Sequence, residues 1–165
     1  NRVRDLIDIM QVESTPVVFS YRNIAAASLA GIDLQTRFRP WKPLEVRLGY
    51  GWLHSRDDDT GEQLSGRAEH RANASLRYEH NGYALSVRGS WTGKRVFQVD
   101  LDTGGAPTSA GEADAHALFD LRAEWLKSRA WTLAMGVENL FNEGDSRYLP
   151  IQPRTTYLEL GWNKP

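Results

Sequence analysis

Cysteine is absent from the 165 residues, which excludes a disulfide framework and any thiolate metal site. Long hydrophobic runs are missing too: no stretch approaches the ~20 apolar residues that a membrane-spanning helix requires. The chain opens NRVRDLIDIM, with neither an initiator methionine nor the charged-then-apolar pattern of a signal sequence, so it is expected to be processed or to be a piece of something longer. There is no excess charge of one sign. Twenty basic and 21 acidic residues leave a formal net charge of -1, so no field favours a polyanion and nucleic acid is not an expected partner. The four histidines, His54, His70, His80 and His116, are scattered without metal-ligand spacing, and no Ser-His-Asp arrangement is readable. The carboxylate-rich runs Asp57 to Glu62 and Asp100 to Gly105 lack calcium-loop spacing and are expected to be solvated loops. No catalytic, cofactor or metal residue is therefore expected, and nothing singles out a ligand-binding residue.

What the chain has is alternation. Hydrophobic residues make up 41%, enough for one ordinary domain, and they recur with period two, the sign of strands with one apolar face. In LEVRLGYGW, Leu44, Val46, Leu48, Tyr50 and Trp52 oppose Glu45, Arg47, Gly49 and Gly51. In RANASLRY, Ala72, Ala74, Leu76 and Tyr78 oppose Arg71, Asn73, Ser75 and Arg77. YALSVRGSW, GIDLQTRF, TTYLELGW and WTLAMGV behave alike. HALFDLRAEW fits a strand as well as a helical stripe and is assigned to a strand, whereas VRDLIDIM fits both periods.

Connections are of two kinds. Arg39 to Pro43, Glu79 to Gly82 and Lys127 to Arg129 are short and carry hairpin-turn residues, while the runs from Ser55, from Val99 and from Glu143 to Pro153 are long, polar and mostly rich in glycine. Their alternation predicts an antiparallel meander of about eight strands, with short turns at one end and long loops at the other.

Periodicity alone leaves open whether the apolar face meets a core or lipid. The polar face carries Arg37, Arg47, Arg71, Arg77, Arg88, Arg122, Glu124 and Glu138 among Gly, Ala and Ser, as a hydrated barrel lumen would, and Glu124 and Glu138 are expected to pair with arginines. Unequal loop lengths are those of an outer-membrane barrel. From Trp131 to Phe141 is ten steps of ~3.3 Å, which a tilt of ~40° projects to about 25 Å, the height of the apolar band on such barrels. A soluble β-barrel binding module stays open at this point.

The end of that run is informative. In ENLFN, Val137 is expected to be the last lipid-facing aliphatic residue and Phe141 to lie at the outer aromatic girdle. Asn139 should sit above the hydrocarbon or be turned by a bulge, satisfying backbone groups as the ladder loosens, with Leu140 pointing inward.

GVENLFN at Gly136 to Asn142, followed by PRTTYLELGW at Pro153 to Trp162, resembles the C-terminal end of TonB-dependent outer-membrane receptors. Tyr21 to Pro40, with its aromatic-x-Asn, small residues and Gly-Ile-Asp strand start, is similar to the same family, as is Tyr50 to Tyr78. The resemblance implies a 22-stranded transmembrane β-barrel with a plug in its lumen, of which residues 1–165 would be a C-terminal barrel segment lacking the plug. It also implies a place in the cell outer membrane among membrane lipid. The implied function is TonB-dependent active uptake of a scarce, bulky nutrient, foremost an iron-siderophore complex, with haem or cobalamin as other ligands. The energy-coupling protein TonB would act through an N-terminal region absent here. The family commonly finishes on an aromatic residue, whereas this chain runs Trp162, Asn163, Lys164, Pro165. A complete eight-stranded outer-membrane barrel, passive or adhesive, is the alternative.

Overall fold

The computed structural model describes residues 2–14, 17–58, 61–99, 109–127, 130–144 and 151–162, with side chains from residue 26 onward except at 98, 99, 109 and 110. Every regular element among the described residues is a strand: β1 Arg2–Ser14, β2 Val17–Trp41, β3 Leu44–Asp57, β4 His70–His80, β5 Tyr83–Thr92, β6 Arg95–Val99, β7 Ser109–Ala113, β8 His116–Trp125, β9 Trp131–Glu138 and β10 Thr155–Trp162. The ambiguous HALFDLRAEW is strand β8, and the opening VRDLIDIM lies in β1.

They form one sheet in the order β10-β9-β8-β5-β4-β3-β2-β1-β6-β7. Eight strands are thus the expected meander. The remaining two, β6 and β7, are a hairpin inserted between β5 and β8, and β6 meets β1 in parallel at Gln11↔Val99. This corrects the reading of Val99 to Ala115 as one long loop, since β7 lies inside it. The order is linear, ending at β10 and β7, so the sheet is not closed.

Burial identifies the faces. Along β5 and β9 the small residues are covered, Ala84 at 4% and Ala134 at 1% exposed, while Met135 is 54% exposed and the facing Leu158 on β10 70%. Water-soluble sheets do the reverse, packing the large apolar side chains inward. Here Leu34, Leu48, Leu76, Leu85 and Leu160 all stand on the open face, and among the described residues no large side chain is fully buried.

Rings mark the ends of the apolar face in the unit formed by residues 33–50, 72–92 and 116–165. Tyr78, Tyr83, Trp125, Trp131 and Trp162 cluster beside the short turns; Tyr83 pairs with Trp125 across the ladder, and Trp131 with Trp162 at a ring separation of 6.3 Å. Trp91, Phe119 and Phe141 occupy the opposite strand ends. The β4–β5 turn has both central residues left-handed, Asn81 at φ 50° and Gly82 at φ 76°, the conformation whose twist matches a two-residue hairpin. Lys127 lies against Gly82 and puts its Nζ 4.8 Å from the Tyr83 ring centre. The β2–β3 turn is Lys42–Pro43, tighter than the Arg39 to Pro43 span expected, because β2 runs on through Trp41. The β8–β9 connection lies partly outside the described residues, at 128 and 129.

β9 ends where the sequence pattern breaks. Val137 is the penultimate residue of β9, paired with Leu121 and Thr156, and Asn139 then turns left-handed at φ 49° with only 6% of its surface exposed. An asparagine tolerates that conformation better than other side-chain-bearing residues. Its backbone N–H donates to Asp120 Oδ1 at 3.0 Å. Its Nδ2 donates to the carbonyls of Glu143 (2.7 Å) and Gln152 (2.9 Å), and its Oδ1 accepts from Glu143 N–H at 2.8 Å. The amide thus fastens both ends of the β9–β10 connection to the end of β9. Leu140 N–H still reaches the Phe119 carbonyl at 2.7 Å, and Phe141, 64% exposed, meets the Phe119 ring edge-on at 5.5 Å.

Candidate functional site

The polar face of the unit containing β5, β8, β9 and β10 is a network of guanidinium and carboxylate groups. It exists because alternate strand positions hold Arg, Glu, Asp, Ser and Tyr, and adjacent strands bring them level. Glu45 is held by three arginines: Arg37 at 2.7 Å, Arg39 at 2.9 Å and Arg47 at 2.7 Å. Glu124 bonds Arg77 on one side and Arg122 at 3.2 Å on the other. Arg122 continues to Glu159 at 2.9 Å and to the Tyr157 hydroxyl at 3.3 Å, lying 5.8 Å over that ring. Gly136 makes room for the ring: a Cβ there would fall 2.5 Å from Tyr157 Oη and 2.7 Å from the Leu121 carbonyl oxygen.

Between these chains lies a cleft of about 280 Å³, lined by Ser75, Ser86, Arg88, Asp120 and Glu138 among others. The expected pairing of lumen acids with arginines holds for Glu124 but not for Glu138, which has no ion pair among the described residues. Arg88, level with Asp120 in the ladder, also lacks one among the described residues; Asp120 Oδ1 accepts from Asn139 N–H instead. Acids so engaged have their oxygens occupied by guanidinium donors and hold the shape of this face.

The second unit comprises residues 1–32, 51–71 and 93–115. In the Asp57 to Glu62 run, expected to be a solvated loop, Asp58, Gly61 and Glu62 are exposed and Asp57 is buried; beyond it the long connection from Ser55 folds back, with Leu64 buried against Ala27, Leu29 beside them, and Ala68 buried too. Trp52 Nε1 donates to Glu69 at 3.0 Å, Gln63 Nε2 to the Arg67 carbonyl at 2.9 Å, and Gly66 N–H to the Val96 carbonyl on β6 at 2.8 Å. Arg95 on β6 is partly buried, and burial first, then the charge of Arg71, lower its pKa from the ordinary arginine value. The clustered arrangement of Arg71 and Arg95 was not legible in the sequence, because it depends on the unforeseen hairpin.

The histidines stay apart. His54 stacks on Trp52 at 6.2 Å, His80 lies 6.3 Å from Tyr78, and His70 and His116 open β4 and β8. The Asp100 to Gly105 run lies outside the described residues, as do 59 and 60 in the Asp57 to Glu62 run, 145–150 in the last connection, and the chain end at 163–165.

Comparison with known proteins places these features. The chain is 29% identical over 164 residues to heme/hemopexin utilization protein C of Haemophilus influenzae (strain 86-028NP), covering 91% of this chain and 21% of that protein. Among solved structures it superposes on the siderophore receptor PirA of Acinetobacter baumannii with a TM-score of 0.74 at 15% identity, covering 98% of this chain and 28% of that one. A ferric enterobactin receptor variant (PfeA) of Pseudomonas aeruginosa in complex with enterobactin gives 0.73 at 17% identity, with 96% and 27% coverage. These likenesses establish the fold, and the chain spans under a third of each relative's length. The family described as TonB dependent receptor-like, beta-barrel, matches residues 1–140, and to that family the chain belongs.

Proposed function

We propose that this chain supplies C-terminal wall strands and external loops to an outer-membrane receptor that imports a scarce iron-bearing nutrient under energy delivered by TonB. The observation that carries the reading is the inverted sheet: a face of exposed Leu, Met and aromatic side chains bounded by rings, opposite a face of arginines and carboxylates. The apolar face suits hydrocarbon, the ring-marked ends suit the two interfaces, and the charged face suits a hydrated lumen. The open strand order fits a segment of a larger barrel better than a closed eight-stranded one. A plug and the TonB-contacting segment would come from other parts of the receptor.

The nutrient is an iron-siderophore complex or haem, the ligand classes named for the three related proteins described above. The role is transport, without a catalytic step. The test is growth of iron-starved cells, deleted for their other receptors, on haemin or on a ferric catecholate siderophore as sole iron source. Growth on one of them that requires both the full-length receptor and TonB supports the reading. Growth on neither, or growth indifferent to TonB, refutes it.

A further inference from the structure

In the unit formed by residues 1–32, 51–71 and 93–115, most described acids are already engaged. Glu69 takes the Trp52 indole N–H, Asp58 takes the Ser28 hydroxyl at 2.6 Å, Glu112 pairs with Lys94, and Asp57 and Glu62 have partners as well; Asp114 is the exposed exception. Arg71 at the start of β4 and Arg95 at the start of β6 have no counter-ion among the described residues. The Gly93 N–H to His70 carbonyl bond, 2.9 Å, ties their strands together just beside them, and the two charges act on each other.

Arg95 is also held in place. Its guanidinium carbon stands 5.8 Å over the Phe97 ring, and that ring is backed by Gly66, whose N–H is tied to Val96. Its Nε is buried with no hydrogen-bond partner among the described residues. A buried donor left unpaired costs free energy, and two guanidinium groups side by side add repulsion. One anionic group accepting from both would remove both penalties, and the planar donor fork of arginine fits carboxylate and phosphate oxygens.

We infer that Arg71 and Arg95 form a binding site for an anionic group, a carboxylate or phosphate, carried by a small soluble ligand. The side on which it lies excludes a lipid headgroup as the source. Arg71 shares its strand face with Asn73 and Arg77, opposite Leu76 and Tyr78, so a bound anion sits on the water side of the sheet. The inference deepens the proposed uptake function and rests on it for the nutrient's identity; the site itself rests on the geometry.

The test uses the full-length receptor in detergent at low ionic strength, with pyrophosphate as probe, followed by phosphorus NMR line broadening and competed with citrate. The wild type is expected to bind saturably, with citrate displacing the probe. Arg71→Gln/Arg95→Gln should weaken binding about tenfold or more, the loss of at least one charge-assisted hydrogen bond. Arg71→Lys/Arg95→Lys should retain part of it, and Arg154→Gln, an exposed arginine of the other unit, should change nothing. Unchanged unfolding midpoints establish that the variants are folded. No saturable binding by the wild type, or equal affinity in the Gln double variant, overturns the site. Growth on an iron source is scored separately: loss of transport with pyrophosphate binding intact defeats the uptake reading alone, and the converse defeats the anion site alone.

Discussion

Replacing Asn139 by alanine removes three side-chain hydrogen bonds at once, two given to the Glu143 and Gln152 carbonyls and one accepted from Glu143 N–H. At ~1 kcal/mol each they sum to about 3 kcal/mol, of which water recovers a part because Glu143 and Gln152 are exposed. Alanine at φ 49° adds ~1 kcal/mol of left-handed strain. The expected total is about 3 kcal/mol, enough to speed exchange of the Glu143 amide by roughly a hundredfold if the connection opens locally. Asn139→Gly keeps the backbone free and loses only the bonds, so it should be milder by ~1 kcal/mol. Asn139→Asp keeps the one acceptor but turns a charge on two carbonyl oxygens, and should do no better than alanine. The assays are amide hydrogen exchange at Glu143 and urea unfolding of the full-length receptor in lipid vesicles, followed by tryptophan fluorescence. An alanine variant with wild-type exchange and midpoint refutes the bonding account. Glycine and alanine variants of equal stability refute the strain account.

Leu85→Arg, in the middle of the apolar face, should destabilise the receptor in vesicles by ~2–4 kcal/mol, while Ser90→Arg on the polar face should cost well under that; equal costs by urea titration would reverse the faces. Gly136→Ala drives a methyl into the Tyr157 ring and the Leu121 carbonyl oxygen, an expected loss of ~1–3 kcal/mol. Tyr157→Ala in the same chain should recover only part of that loss, because the backbone oxygen remains; full recovery would show that the ring alone is limiting. Glu124→Gln should cost ~1 kcal/mol by leaving Arg77 and Arg122 with fewer partners, and the difference from wild type should shrink at ~1 M salt.

What could be seen in advance follows from the range of the interactions. Alternation is local, so β3, β5, β9 and β10 and the composition of their two faces were legible residue by residue, as was the unusual place of Asn139. Alternation alone did not say which face is which, since Leu85 looks the same whether its neighbours are methyl groups of a core or of acyl chains; the arginines of the opposite face and the unequal connections were what pointed to a hydrated lumen. β7 was missed because SAGEA has no large alternating side chain; it is a strand by virtue of β6, to which it pairs from Arg95↔Ala113 to Val99↔Ser109. Length also misled at Ser55 onward, where a polar run hides the one leucine, Leu64, that anchors it on Ala27. Arg71 was marked by its strand face, but its companionship with Arg95 is tertiary. The same holds for Glu138, whose strand position is that of a paired acid and which has no ion pair among the described residues.

β5 and β8 pair through ten successive positions, from Tyr83↔Trp125 to Thr92↔His116, although the β6–β7 hairpin separates them in the chain. Their alignment is therefore set by their own side chains and does not depend on how much polypeptide intervenes. Neither register nor face along this ladder is handed on by the segment that joins the two strands, so Leu85 and Ala123 stay level through a pairing that closes over a long intervening stretch of chain.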